Sequence, residues 1–177
     1  MLLETKMMLE SLITSKTRIR LLVKFFISAA NEGYLRGLAG ELNENTNAIR
    51  KELNNLSDAG YLERFESNSK ITYKANKNHP LFSLIQGVIR KYVGLDTIIE
   101  NVVERVGEVK QVYLLGDYAK GIDSGLVEVC VVGENLDVEY IENLTKKIEV
   151  KIQKKLTISI FPSYEGVGLL IFDNTKE

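Results

Sequence analysis

Cysteine and histidine occur once each in the 177 residues, as Cys130 and His79. No disulfide can form within the chain, and the usual zinc centres, which need three or four such ligands, are excluded. Long apolar runs are also missing. The greasiest stretch, Leu21 to Ala30, is broken by Lys24 and falls short of the roughly 18 consecutive apolar residues of a membrane span. The opening residues carry Glu4 and Glu10, with no basic start and no continuous apolar segment, so no secretory signal is expected and the cytoplasm is the expected compartment. An excess of one charge is lacking overall, with 23 Lys+Arg against 24 Asp+Glu and a formal net charge of −1.

That neutrality hides an asymmetry. Residues 1–78 hold 12 Lys+Arg and 9 Asp+Glu, a balance of +3, whereas residues 79–177 hold 11 and 15, a balance of −4. Only the first half suits a polyanion. What is present otherwise is ordinary: 45% apolar and 27% charged residues exclude a disordered tail or a fibrous repeat. The length fits two small domains.

In the first half, Ile19, Leu22, Val23, Phe26, Ile27 and Ala30 recur at helical spacing and predict a helix over residues 15–30. Asn31-Glu32-Gly33 reads as a turn. Leu35, Leu38, Ala39 and Leu42 predict a short second helix, and the capping-rich Asn43-Glu44-Asn45-Thr46 leads into a third from Thr46 to Asp58, with Gly60 closing it. Tyr61 to Glu66 and Lys70 to Ala75 read as strands joined by Ser67-Asn68-Ser69. Three helices and a hairpin give the element order of a winged helix-turn-helix, whose third helix enters the DNA major groove. With Ile49, Leu53 and Leu56 inward, Asn47, Arg50, Lys51 and Asn54 face outward and Thr46 stands at the helix start. That face holds no acid. It offers an arginine for guanine, amides for adenine and a lysine for phosphate. Lys70 and Lys74 on the hairpin are candidate phosphate contacts.

Residues 15–78 resemble ArsR-type winged helix-turn-helix regulators through Leu35-Arg36-Gly37-Leu38-Ala39, Asn45-Thr46-Asn47-Ala48-Ile49-Arg50-Lys51-Glu52-Leu53 and Leu56-Ser57-Asp58-Ala59-Gly60-Tyr61-Leu62. The resemblance implies a homodimer acting on near-palindromic double-stranded DNA. Metal sensing is not implied, because the cysteine clusters of the family's metal sensors are absent.

In the second half, Pro80 is expected to open a helix, and His79 reads as a linker or capping residue. Leu81, Leu84, Ile85, Val88 and Tyr92 mark one helix, and Ile98, Ile99, Val102, Val103 and Val106 a second after Gly94; both are available to core and dimer surface. Strands are predicted at Gln111–Leu115, Leu126–Val132, Thr157–Phe161 and Val167–Phe172, with a long helix through Val138, Ile141, Leu144, Ile148 and Ile152. Cys130 reads as a buried small hydrophobe, and Lys146, Lys147, Lys151, Lys154 and Lys155 as a solvated face.

The expected fold class is α+β: a winged helix domain over 1–78, a helical connector over 79–107 and a small α/β domain over 108–177. Val112-Tyr113-Leu114-Leu115-Gly116-Asp117-Tyr118-Ala119-Lys120-Gly121, followed by Val127-Glu128-Val129-Cys130-Val131-Val132, resembles the minimal nucleotidyltransferase fold related to polymerase beta. The family's Gly-Ser turn holds nucleotide phosphate, and acids at i and i+2 on the next strand share two metal ions with a third acid on a later strand. Alternate strand residues face one way, which is why two acids so spaced grip one metal pair. Here the turn serine corresponds to Asp117, the first acid to Leu126 and the second to Glu128, and Thr157–Phe161 holds no carboxylate. The resemblance therefore implies a catalytically inactive domain without metal or cofactor, serving dimerisation, a partner or ligand sensing. Gly116, Asp117, Lys120 and Glu128 outline a vestigial ligand cleft. The competing expectations are a nucleotidyltransferase acting on protein, tRNA or a small molecule, and an antitoxin-like interaction protein.

Overall fold

The computed structural model describes residues 2–175 of a mixed α+β chain that divides into two compact units. The first unit runs from Met8 to Ile89 and includes Lys120–Ile122; the second holds Arg90–Ala119 and the chain from Asp123 onward, with the opening residues. No helix among the described residues is long and apolar enough to cross a membrane.

The chain begins with helix α1 (Leu2–Leu12), which no sequence period announced. Its second half buries Leu9 but leaves Met8 and Leu12 exposed, so apolar residues do not mark one inward stripe. Helix α2 (Lys16–Phe26) starts at Ser15, whose Oγ accepts from the Arg18 N–H at 3.1 Å, and buries Ile19, Leu22, Val23 and Phe26. It stops short of the expected Ala30. The Asn31 side-chain amide donates to the Lys24 carbonyl and the Asn31 N–H to the Ser28 carbonyl, both at 3.0 Å, and this alternative pairing turns the chain out of the helix.

The expected turn at Glu32-Gly33 is instead strand β1 (Glu32–Tyr34). A three-residue strand containing glycine has no local signature; it forms because a later strand supplies its ladder. Helices α3 (Leu35–Glu41) and α4 (Thr46–Asp58) follow. Asn45 caps α4, its Oδ1 accepting from the Asn47 N–H at 2.7 Å, and Gly60 closes the far end at φ +81°, where a side chain would be strained. Strands β2 (Leu62–Ser67) and β3 (Lys70–Ala75) pair through Asn68 and Ser69, both left-handed, which is the turn that matches strand twist in a tight hairpin. The sheet order is β1-β3-β2, with Tyr34 and Phe65 both opposite Thr72.

Helix α5 (Phe82–Val93) begins two residues after Pro80 rather than at it. The intervening turn is closed by Phe82 N–H to the His79 carbonyl at 2.9 Å, and His79 Nδ1 accepts from the Leu81 N–H at 3.1 Å. His79 thus caps the helix, with its ring 4.3 Å from that of Tyr61. The boundary between the units falls within α5.

In the second unit, helix α6 (Leu95–Arg105) leads to strand β4 (Glu108–Leu115), the single turn α7 (Gly116–Ala119) and strand β5 (Leu126–Glu134). Helix α8 (Val138–Ile152) crosses back to β6 (Lys155–Phe161), and β7 (Leu169–Asp173) ends the sheet. The order is β6-β5-β4-β7, parallel only between β5 and β6, the pair that the helical crossover joins. Val127, Val129 and Val131 are buried, as are Ile141, Leu144, Ile148 and Ile152 of α8, so period two on the strand and period 3.6 on the helix build one core.

Candidate nucleic-acid interface

Helix α4 divides by burial as its spacing requires. Ile49, Leu53 and Leu56 are buried, while Thr46, Asn47, Arg50, Lys51 and Asn54 are all exposed. Glu52 is the exception to apolar burial. Its carboxylate accepts from Ser15 Oγ and Arg18 Nε, each at 2.7 Å, and so fixes α4 against the start of α2. Burial alone would raise the Glu52 pKa, but the hydrogen bonds from Ser15 and Arg18, with the charge of Arg18, outweigh it and hold the carboxyl below the ordinary range. The one acid in the middle of α4 is therefore turned inward and compensated.

Beside the exposed face lies an open groove of about 800 Å³. Arg36 of α3, Arg50 and Asn54 of α4, and Lys70 of β3 line it together with Tyr34 of β1, and no carboxylate lines it. The Lys70 ammonium sits 3.5 Å from the centre of the Tyr34 ring, so β1 carries the aromatic that holds this cation at the groove. Lys74 is placed differently. Its Nζ pairs with Glu32 Oε2 at 2.8 Å, which already compensates its charge.

Two amides on the face are held by arginines. Arg50 Nη1 donates to Asn47 Oδ1 at 3.2 Å, and Arg64 Nη2 donates to Asn54 Oδ1 at 3.4 Å and to Asp58 Oδ1 at 3.3 Å. Of the residues expected at the interface, Arg50, Asn54 and Lys70 meet in the groove; Thr46, Asn47 and Lys51 lie along the exposed helix outside its lining, and Lys74 stands apart. Sequence reasoning missed Tyr34, Arg36 and Arg64. Arg64 follows buried Leu62 at i+2 on β2, so strand alternation would have turned it inward and gave no signal for it; Tyr34 carried none either, because its role depends on a strand pairing made across the sheet.

The second candidate cluster is not gathered in one unit. Gly116, Asp117 and Glu128 belong to the second, whereas Lys120 groups with the first. Glu128 is opposite Leu115 on β4 and Thr157 on β6, and its carboxylate occupies the space that a side chain at Gly116 (φ +60°) would fill. Leu126, two residues earlier on the strand, is 40% exposed. Asp123 accepts from the buried Tyr118 hydroxyl, which in turn accepts from the Gly125 N–H at 3.2 Å. Burial first, and the Asp123 carboxylate second, push Tyr118 ionisation far above the ordinary phenol range. Cys130 is fully buried, and burial pushes its thiol up as well. No group of three or more His, Cys, Asp or Glu side chains among the described residues is placed to hold a metal ion.

No protein-family model matches the chain, and no curated protein or solved structure is significantly similar to it.

Proposed function

We propose that the chain is a sequence-specific, DNA-binding transcriptional regulator whose first unit is a winged helix-turn-helix. One observation carries this reading: an exposed helix face, Thr46 to Asn54, free of acids and flanked by a groove in which Arg36, Arg50 and Lys70 converge. Cations along a helix edge neutralise phosphates, and a helix presenting Arg and Asn side chains matches the hydrogen-bonding edges of bases in the major groove. The β2–β3 hairpin, with Lys70 at its tip, serves as the wing against the neighbouring backbone.

The working form is a homodimer. Exposed apolar side chains on α1 and α5, Leu12 (81%) and Leu84 (65%), line one largely apolar groove, the surface we assign to the second copy. Two recognition helices then read a near-palindromic site in successive major grooves.

The second unit is read as an inactive nucleotidyltransferase-like domain that supports dimerisation, a partner or a ligand. Leu126 stands where a metal-binding acid is needed, β6 carries no carboxylate, and Asp117 brings negative charge to the turn that would meet phosphate. Glu128 alone does not clamp two ions.

The test is a band shift with DNA fragments from the neighbourhood of the chain's own gene, competed with unrelated duplex. Retention of one fragment over excess competitor supports the reading. Equal competition by every duplex refutes it.

A further inference from the structure

Resting on the regulator reading above, we infer that the α4 face presents hydrogen-bond donors in excess of acceptors and therefore selects guanine over adenine at the base steps it contacts, with Arg64 as a specificity-determining residue that acts through Asn54. An asparagine pairs with adenine by accepting from the N6 amino group through Oδ1 while donating to N7 through Nδ2. On this face both amide oxygens are engaged. Arg50 Nη1 donates to Asn47 Oδ1 at 3.2 Å, and Arg64 Nη2 to Asn54 Oδ1 at 3.4 Å. Arg64 is itself steered by Asp58, at the end of the same helix, at 3.3 Å.

The consequence is chemical. An adenine or cytosine amino group approaching either amide oxygen finds one lone pair already taken and must bring partial positive charge up beside the full positive charge of the guanidinium donating there. The amides keep the two donor hydrogens of each Nδ2. The remaining arms of Arg50 and the ammonium groups of Lys51 and Lys70 add only donors. Guanine alone offers two acceptors, O6 and N7, on its major-groove edge, whereas adenine offers N7 and thymine O4. A donor surface is satisfied best where guanines face it. Arg64 touches no base in this arrangement. It positions the Asn54 amide.

The experiment is enrichment of a random duplex pool by the full-length chain, in parallel for the wild type, Arg64→Ala and Arg64→Lys, followed by affinity measurement on the enriched site and its single-pair variants. The wild type should enrich half-sites with guanine at the steps under α4, and replacing such a G·C pair by A·T should weaken binding by roughly tenfold. Arg64→Ala frees Asn54 Oδ1, so adenine at one step should rise to within about threefold of guanine, the discrimination of one bidentate pair being lost. Arg64→Lys keeps the charge and should relax the same step with no change in salt dependence, which separates positioning of Asn54 from attraction to phosphate. Adenine enriched at these steps by the wild type, or an Arg64→Ala protein that selects the wild-type site unchanged, overturns the inference and leaves the regulator reading standing. A pool with no enriched sequence overturns the regulator reading, and this inference with it.

Discussion

Arg18 Nε donates to Glu52 Oε2 at 2.7 Å, joining the first turn of α2 to the middle of α4. The bond holds in place the helix that we assign to the major groove, and it has a pH signature. The folded-state pKa of Glu52 lies below its ordinary value of 4.5, so the stabilisation is fully present above that value and is lost as pH falls through the folded-state pKa. Melting temperature measured from neutral to acid pH should drop more steeply for the wild type than for Glu52→Gln. At neutral pH Glu52→Gln should cost about 1–2 kcal/mol, the lower part of the range for charge-assisted bonds because Arg18 is partly solvated. Parallel acid limbs for the two proteins would contradict the assignment.

The hairpin lysines should behave unequally. Lys70 stands over Tyr34 at the groove, whereas Lys74 is already paired with Glu32. Lys70→Ala should weaken binding to all duplexes alike and reduce the slope of log affinity against log salt by about 1. Lys74→Ala should change that slope by less than half as much. Titration by fluorescence anisotropy at several salt concentrations decides between equal and unequal effects.

Leu84 is 65% exposed on α5. Leu84→Glu places a charge on the surface assigned to the second copy and should convert a dimer to a monomer in sedimentation velocity, with palindromic DNA binding lost alongside. A monomeric wild type would remove the dimer from the account.

Gly116 adopts φ +60° with the Glu128 carboxylate against it. Gly116→Ala adds left-handed strain and displaces that carboxylate, and should destabilise the second unit by about 1–2 kcal/mol or more. Hydrogen exchange at the β5 amides is the readout, and unchanged protection would contradict the geometry.

Much of this was legible from residue order. The bounds of α4 follow from Asn45 as cap, the Ile49, Leu53 and Leu56 stripe and Gly60, all local signals, and the β2–β3 hairpin from two β-rich runs around a polar turn. What escaped was non-local. Strand β1 exists only because β3 pairs with it, α1 lacks a continuous apolar stripe, and α2 ends early because Asn31 competes for the Lys24 carbonyl. The site was legible to the same extent: Arg50 and Asn54 follow from helical period, but the Tyr34–Lys70 contact and the hold of Arg64 on Asn54 depend on the assembled sheet.

Base reading by α4 turns first on Arg50, at the centre of its exposed face. On the duplex the wild type prefers, Arg50→Ala should lose about 1–3 kcal/mol, roughly 5- to 150-fold in dissociation constant, while affinity for unrelated duplex changes only slightly. Equal loss on both duplexes, or no loss on either, would contradict base reading by this helix.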